Sequence, residues 1–385
     1  MVVALRRKTT VYAQRQDTFG SFQTTAAANA ILINNDSVFV KTKREILERP
    51  VLRKCLSKFR HVVGRQFTEG NLIAEVKGSG TQGTAPELDP FFDVLLGLKS
   101  IQQTATIVRH DTHGDVGGEN SATLIHIATL FNRFTVGNMV RVGTGSTFGV
   151  AFIHATRATS LLLTPALGFV PTFGHSISKS VTYRPNFTSG YLTVDQYLDN
   201  VRLHTRDVKV ATLTMNVVAN QLVVADFSLK GTISNASAES DALDPSGSFD
   251  TNLPPVAMNC RLNVGGANMD VMNMELTIEL ELKERLSLRS SDSTRIVAVA
   301  RTVTGSLDPH MENKDLVDDF VNGTASALIL EVGTTAGNIM AIYMPRIQYT
   351  DMDMVDESGE YKYALPFQAV SPVATPEREI VISFV

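Results

Sequence analysis

The side chains best suited to binding a metal ion lie in one short segment, residues 110–115. His110, Asp111, His113 and Asp115 supply imidazole and carboxylate groups, which are common metal ligands, and two histidines three residues apart can reach one ion. No second cluster of ligands accompanies them, and the surrounding residues are rich in glycine. We therefore predict a solvated surface loop here, with no bound metal ion and no cofactor.

A glycine-rich stretch, residues 78–83, is the other segment whose composition suggests ligand chemistry. A phosphate-binding loop ends in a Lys-Ser or Lys-Thr pair that enters a helix, whereas here Thr-Ala-Pro follows at residues 84–86. Ser146 and Ser234 also lack the Gly-x-Ser-x-Gly setting of a nucleophile elbow. We predict a protein that is not an enzyme, and a catalytic group assembled from distant residues stays an open alternative.

The two cysteines, Cys55 and Cys260, are too far apart in sequence to form a metal-binding or redox motif. They are typical of small buried apolar residues in a reduced cytoplasm. The basic residues near the N-terminus are followed by no apolar signal-peptide core, and no window resembles a membrane span. We expect synthesis in a cytoplasm and no membrane anchor.

Charged residues make up only 19% of the 385 residues, less than the roughly 25% of a typical globular domain. A surface with so few charges is typical of a protein that buries part of it in subunit contacts, although a weakly charged monomer is the alternative. The 35 basic and 39 acidic side chains give a net charge of −4, without the basic excess of a protein that grips DNA.

Strict alternation of apolar and polar residues marks one long strand, residues 271–283. Its polar positions include Glu275, Glu279 and Glu281, which a period of two places on one face. Paired carboxylates can perform acid–base chemistry, but a solvated strand face is the favoured interpretation. Further strands are predicted at residues 72–77, 139–142, 150–154, 160–163, 191–197, 201–203, 211–218, 221–229, 295–304, 327–332, 338–343 and 379–384.

Two short helices interrupt the strands. One is predicted from Pro86 to Leu96, with Gly97 as its end, and the other from an Asn313 cap to Gly323. Each follows a strand and a Gly/Ser-containing loop, and each precedes a hairpin, so the chain reads as an internal repeat. The predicted divisions are a first domain at residues 1–240 with an insertion at about 101–190, a linker at 241–256 and a second domain at 257–385.

Several segments resemble the major tail tube proteins of long-tailed phages with non-contractile tails. The strand, Gly-Ser-Gly loop and Pro-led helix of residues 75–90 resemble a signature of that family. The other segments that carry the resemblance are residues 192–194, 199–200, 212–215, 227–231, 303–307, 344–347 and 367–370. Residues 101–190 have no clear counterpart in the family pattern.

The resemblance implies a mainly β fold with two tandem tail-tube-like sandwich or barrel domains, each flanked by a short helix. Long hairpins would form a β-barrel shared by the oligomer. Three two-domain chains would make a pseudo-hexameric ring, and stacked rings would form the channel for DNA ejection. Glu275, Glu279 and Glu281 would face the lumen, and the loop with His110, Asp111, His113 and Asp115 would contact the next ring.

The resemblance also implies a place in the virion tail, with assembly in the bacterial host cytoplasm. The implied partners are other copies of the chain, a tape measure protein, tail terminator and distal tail proteins, and genomic DNA that passes without specific binding. Another virion protein, such as a tail-tip hub or capsid component, is an alternative. A carbohydrate-active β-sandwich enzyme is a further one, which the absence of Trp disfavours, since sugar sites use aromatic platforms.

Overall fold

The fold is described from a computed structural model of the chain. The structure describes residues 9–49, 60–103, 105–108, 120–127, 134–144, 147–157, 160–187, 190–199, 201–232, 239–240, 246–258, 260–288, 295–311, 315–357, 359–372 and 378–385. The candidate metal ligands at residues 110–115, Cys55 and the Asn313 cap lie outside these residues.

The prediction of a mainly β protein is confirmed, because strands dominate and two short α-helices accompany them. In chain order the strands are β1 (Thr9–Gln16), β2 (Ala30–Ile31), β3 (Val38–Leu47), β4 (Val62–Glu75), β5 (Gly97–Gln102), β6 (Thr106–Ile107), β7 (Leu124–His126), β8 (Met139–Thr144), β9 (Thr147–Thr156), β10 (Ser160–Thr164), β11 (Ser176–Ile177), β12 (Ser180–Pro185), β13 (Tyr191–Leu198), β14 (Val201–Val218), β15 (Val224–Thr232), β16 (Glu239–Ser240), β17 (Arg261–Val264), β18 (Ala267–Asn268), β19 (Val271–Arg285), β20 (Arg295–Pro309), β21 (Ser326–Val332), β22 (Met340–Tyr349), β23 (Asp353–Glu357), β24 (Glu360–Ala369) and β25 (Val381–Phe384).

The long strand predicted at residues 271–283 is present as β19. Its apolar side chains at Met274, Leu276, Ile278 and Leu280 are buried, and the glutamates between them are exposed. Burial of one face explains the strict alternation, since a slip of one residue would expose the whole apolar set. Neighbouring strands bury Leu213, Phe227, Val303 and Leu307 in the same apolar core.

Eight antiparallel strands form the central sheet, in the order β3–β4–β15–β14–β19–β20–β24–β23. β14 and β19 join the strands of the first half of the chain to those of the second. In the part of the chain that the structure describes, β3 pairs only with β4 and β23 only with β24. These two strands are therefore the edges of the central sheet.

The pairing order recurs along the chain. The first series is β1–β13–β14–β15–β4–β3, and the second is β17–β21–β22–β24–β20–β19. β22 and β23 are consecutive strands, and both pair with β24. Together they correspond to the single strand β14 of the first series, which pairs with β15. One helix follows β4 and the other follows β20.

The helices differ from the prediction at one start. α1 spans Asp89–Leu96, so the predicted start at Pro86 is wrong, and the Pro86 carbonyl instead accepts a turn hydrogen bond from the Asp89 amide. Gly97 ends α1 with a φ of 92°, a left-handed conformation that suits glycine. α2 spans Asp315–Asn322 and ends at Gly323, as predicted. No helix among the described residues has the length and apolar character needed to cross a bilayer.

Strands between residues 106 and 177 build a second sheet. Strands β6 to β11 form a six-stranded sheet around a separate apolar cluster, and the strand pairing found among the described residues joins these strands only to one another. The other nineteen strands, including the central sheet, are connected by pairing into one large sheet. The small sheet packs on β21 and β22 of this large sheet through a shared cluster that includes Val150, Phe152, Ile329 and Tyr343. This small sheet therefore forms a layer against β21 and β22.

Candidate assembly surface

The three glutamates singled out in the sequence lie together on the polar face of the central sheet. Glu275, Glu279 and Glu281 are exposed on β19. Hydroxyl groups flank them on the adjacent strands, and the Thr214 Oγ1 and Thr277 Oγ1 atoms lie 3.4 Å apart. The three carboxylates are therefore exposed to solvent on a polar sheet face.

Carboxylates outnumber ammonium groups on this polar face across its five central strands. The acidic side chains are Glu69, Glu75, Asp226, Glu275, Glu279, Glu281 and Asp308, and the basic ones are Arg65, Lys230, Lys283 and Arg285. Lys283 Nζ lies 3.4 Å from Glu281 Oε1, and Lys230 Nζ lies 3.0 Å from Glu284 Oε1. With seven acidic against four basic side chains, the face keeps a negative excess, which repels a polyanion.

The two edges of the central sheet carry charges of opposite sign. On β3 the exposed Lys41, Lys43 and Arg44 outnumber the exposed Glu45, and on β23 Asp353 and Asp356 are exposed. Charged side chains on an edge strand prevent indiscriminate pairing with other sheets. A positively charged edge strand can still pair with a negatively charged edge strand.

Exposed apolar side chains cluster at the ends of two long hairpins. On the β3–β4 hairpin, Ile46, Leu47, Val62 and Val63 each have about half of their surface exposed, the fractions ranging from 47% to 58%. Leu286 and Leu288 follow the end of β19, and Leu288 is fully exposed. Apolar groups concentrated in this way mark a surface that contacts another protein.

The glycine-rich stretch at residues 78–83 is occupied by contacts within the chain. The Gly78 amide donates to Asn338 Oδ1 at 2.7 Å, and the Gly80 amide donates to the Gly337 carbonyl at 3.1 Å. These amides are therefore not free to cradle a phosphate group. A Cβ on Gly78 would lie 2.2 Å from the Gly337 oxygen, so glycine is required for the close approach of the two backbones.

Gly78→Ala is expected to destabilise the protein by about 1–3 kcal/mol, because the backbone of the turn at residues 335–338 must move to admit the methyl group. Gly168→Ala is the matched control, since the nearest atom to its Cβ would be Arg261 Nη1 at 3.7 Å. Thermal unfolding followed by circular dichroism measures both variants. Equal midpoints for the two variants would contradict this role of Gly78.

A buried aspartate with a histidine is the group that most resembles catalytic chemistry. Asp195 accepts hydrogen bonds from Thr25 and from Arg202 Nη2, the latter at 3.0 Å, and contacts His204 Nδ1. Burial raises the pKa of Asp195, but the hydrogen bonds from His204, Arg202 and Thr25 together hold it below its usual value. The Thr25 hydroxyl contacts the carboxylate and not the imidazole, so the arrangement braces β13 against β14 and does not activate a nucleophile.

Among the residues that the structure describes, the remaining candidate groups form no metal site and no reactive thiol. No three His, Cys, Asp or Glu side chains are placed to hold a metal ion within the described ranges. Cys260 is a half-buried free thiol, and burial raises its pKa to about 11, which disfavours the reactive thiolate. Reasoning from the sequence missed the charged sheet edges, because which strands become edges depends on pairing between distant segments.

The fold and its surfaces define a mainly β structural protein, whose polar sheet face, charged sheet edges and apolar hairpin ends are suited to contacts between subunits. Residues 6–369 match the family model described as phage tail tube protein. The chain therefore belongs to the phage tail tube protein family and is a structural subunit of the tail tube of a bacteriophage virion. No curated protein matches the sequence.

Proposed function

We propose that three copies of this chain close into a ring and that stacked rings form the channel for DNA ejection in a long, non-contractile tail. The central sheet carries this proposal: it takes four strands from each half of the chain in a similar pairing order, and among the described residues its edge strands β3 and β23 each pair on one side only. Closing the sheets of neighbouring chains into one barrel removes every such edge. Each chain contributes two tube-like domains, residues 1–240 and 257–385, joined by residues 241–256.

The internal joint between β14 and β19 supports a ring of three chains. Seven residue pairs, from Thr212 with Glu279 to Val218 with Asn273, connect the two halves of the chain. If each half acts as one tube domain, the same kind of joint is needed between chains. A ring of three chains then contains six similar domains.

Stacking of rings is head to tail and uses the hairpin ends. The apolar side chains at Ile46, Leu47, Val62 and Val63 are too exposed for an isolated subunit and gain by burial against the next ring. A contact between two different surfaces repeats without limit and produces a filament. The loop with His110 and His113 is a second proposed inter-ring contact.

The polar face of the central sheet is the proposed lining of the channel, with Glu275, Glu279 and Glu281 on it. A lining with excess carboxylates lets DNA pass without binding. The proposed partners are a tape measure protein inside the tube during assembly and terminator and distal tail proteins at its ends. We propose that the chain is synthesised and assembled in the host cytoplasm.

Negative-stain electron microscopy of the purified protein tests the proposal. We expect hollow tubes or rings, and the mass of an isolated ring should equal three chains of 41.9 kDa. Six chains in each ring would contradict the two-domain arrangement. A monomer at high concentration would contradict assembly by this chain alone, and rings that never stack would favour a tail-tip hub.

A further inference from the structure

The pairing of β14 with β19, which joins the two halves of one chain, indicates how two neighbouring chains could pair. Along the junction of β14 and β19, Thr214 lies opposite Thr277 and Thr212 lies opposite Glu279. All four side chains lie on the polar face of the central sheet. If two neighbouring chains pair in the same way, β23 of one chain takes the place of β14 and β3 of the next chain takes the place of β19. Residues of β23 and β3 that correspond to these pairs then lie opposite one another.

The equivalent positions follow from a short repeated motif on β4 and β20. Gly70 and Leu72 on β4 correspond to Gly305 and Leu307 on β20, in the patterns Gly-Asn-Leu and Gly-Ser-Leu. Leu72 pairs with Phe227 on β15, and Leu307 pairs with Leu365 on β24. Both pairs are buried apolar contacts, so Phe227 and Leu365 occupy equivalent positions.

The same correspondence extends to the first edge. Thr214 pairs with Asp226, the residue before Phe227. The residue before Leu365 is Ala364, which pairs with Asp353 on β23. Asp353 therefore occupies the position of Thr214, and Asp351 occupies that of Thr212.

The second edge is located in the same way. Thr277 pairs with Thr304, the residue before Gly305, and Glu69, the residue before Gly70, pairs with Lys41 on β3. Lys41 therefore occupies the position of Thr277. Two residues further along, Lys43 pairs with Phe67 as Glu279 pairs with Thr302, so Lys43 occupies the position of Glu279.

Resting on the proposed function, we propose that β23 of one chain, extended by the two residues before it, pairs antiparallel with β3 of the next chain. Asp353 then lies beside Lys41, and Asp351, which precedes β23, lies beside Lys43. The two aspartates and the two lysines are exposed in the single chain. Opposite charges directly across an antiparallel pair stabilise it. The threonine pair of the internal joint is replaced by ion pairs in the joint between chains.

The charges also determine which edges meet. Two β3 edges would bring lysines together, and two β23 edges would bring aspartates together, and like charges across a pair are destabilising. Pairing of unlike edges is a heterologous contact, which closes into a ring when the rotation permits. The edge charges therefore select a closed ring of chains over a symmetric dimer.

Charge exchange tests the register. Lys41→Asp and Asp353→Lys each place like charges together and should raise the protein concentration needed for tube assembly by about tenfold, while the double variant should return to about the wild-type value. Asp356→Lys is the matched control, because residue 356 lies on the opposite face of β23 and should assemble normally. Sedimentation and electron microscopy measure assembly. Normal assembly of both single variants would overturn the proposal.

Cross-linking provides an independent measurement if the double variant fails to assemble. Facing residues of antiparallel strands have Cα atoms about 4.5–5.5 Å apart, within the range of a disulfide. Lys41→Cys with Asp353→Cys, in a Cys55→Ser, Cys260→Ser background, should give covalent species up to a closed trimer. Tubes that form without this cross-link would refute the joint while the proposed function stands. Wild-type protein that never forms rings or tubes would refute the proposed function itself.

Discussion

Replacing Glu331 with alanine is expected to lower the free energy of unfolding by about 3–5 kcal/mol, because it removes a buried carboxyl group and leaves the Arg261 guanidinium and the Val150 amide without their acceptor. Glu331 lies on β21 with only 4% of its surface exposed. Its Oε1 atom is 2.5 Å from Arg261 Nη2 and accepts a hydrogen bond from the Val150 amide at 3.2 Å. Val150 belongs to the six-stranded sheet, so the Glu331 carboxyl group connects that sheet to the large sheet.

The same carboxylate gives the stability a dependence on pH. Burial raises the pKa of Glu331 from an ordinary value of 4.5 to about 7, against the attraction of Arg261 and Arg141. Because the pKa in the folded protein is raised, the stabilising contribution of this group is full below about pH 4.5 and is lost as the pH rises through about 7.

Urea unfolding of Glu331→Ala and Glu331→Gln across pH 5 to 8 measures both effects. Glu331→Gln should lose the part of the pH dependence that belongs to this group, because the amide does not titrate. Glu360→Gln is a suitable control, since its side chain is 77% exposed. A Glu331→Ala midpoint equal to that of the wild type would show that the contact between the sheets does not depend on this residue.

The sequence predicted elements where one local signal dominates. β19 was predicted because its apolar and polar residues alternate without interruption, and the ends of both helices were predicted because Gly97 and Gly323 adopt positive φ angles. The two strands predicted at residues 201–203 and 211–218 are one strand, β14. Asp207, with a φ of 56°, interrupts its register, and the strand passes from β13 to β15 around this irregularity. A tolerated left-handed aspartate within a strand has no clear sequence signal.

Other features were missed because they depend on distant parts of the chain. The edge strand β3 was not predicted, since its exposed Lys41, Lys43 and Arg44 hide the apolar alternation. Its relation to β23, more than three hundred residues away, becomes visible only from the strand order. Sequence alone could place three glutamates on one face, whereas the neighbouring strands that make the face acidic required the pairing.

Replacing Glu275, Glu279 and Glu281 together with lysine is expected to leave tubes intact and to slow DNA ejection by about tenfold or more. The three side chains are exposed and contact no apolar core, so the folded subunit should tolerate the change. Each substitution changes the charge by two units, and the changes recur in every chain along the proposed channel. A lining that repels the phosphate backbone would become one that attracts it.

The attraction would act as friction, because each lysine can displace counterions from a phosphate and must release it again for the DNA to advance. Asp17, Asp36 and Asp270, exposed aspartates outside the polar face, provide a control triple with the same charge change when they are replaced with lysine. Electron microscopy should show tubes of normal length for both triples, and ejection from purified virions should be slow only for the β19 triple. Higher salt should restore its ejection rate, since screening weakens phosphate contacts. Equal, normal ejection and infectivity for both triples would place the glutamate face on the outside of the tube.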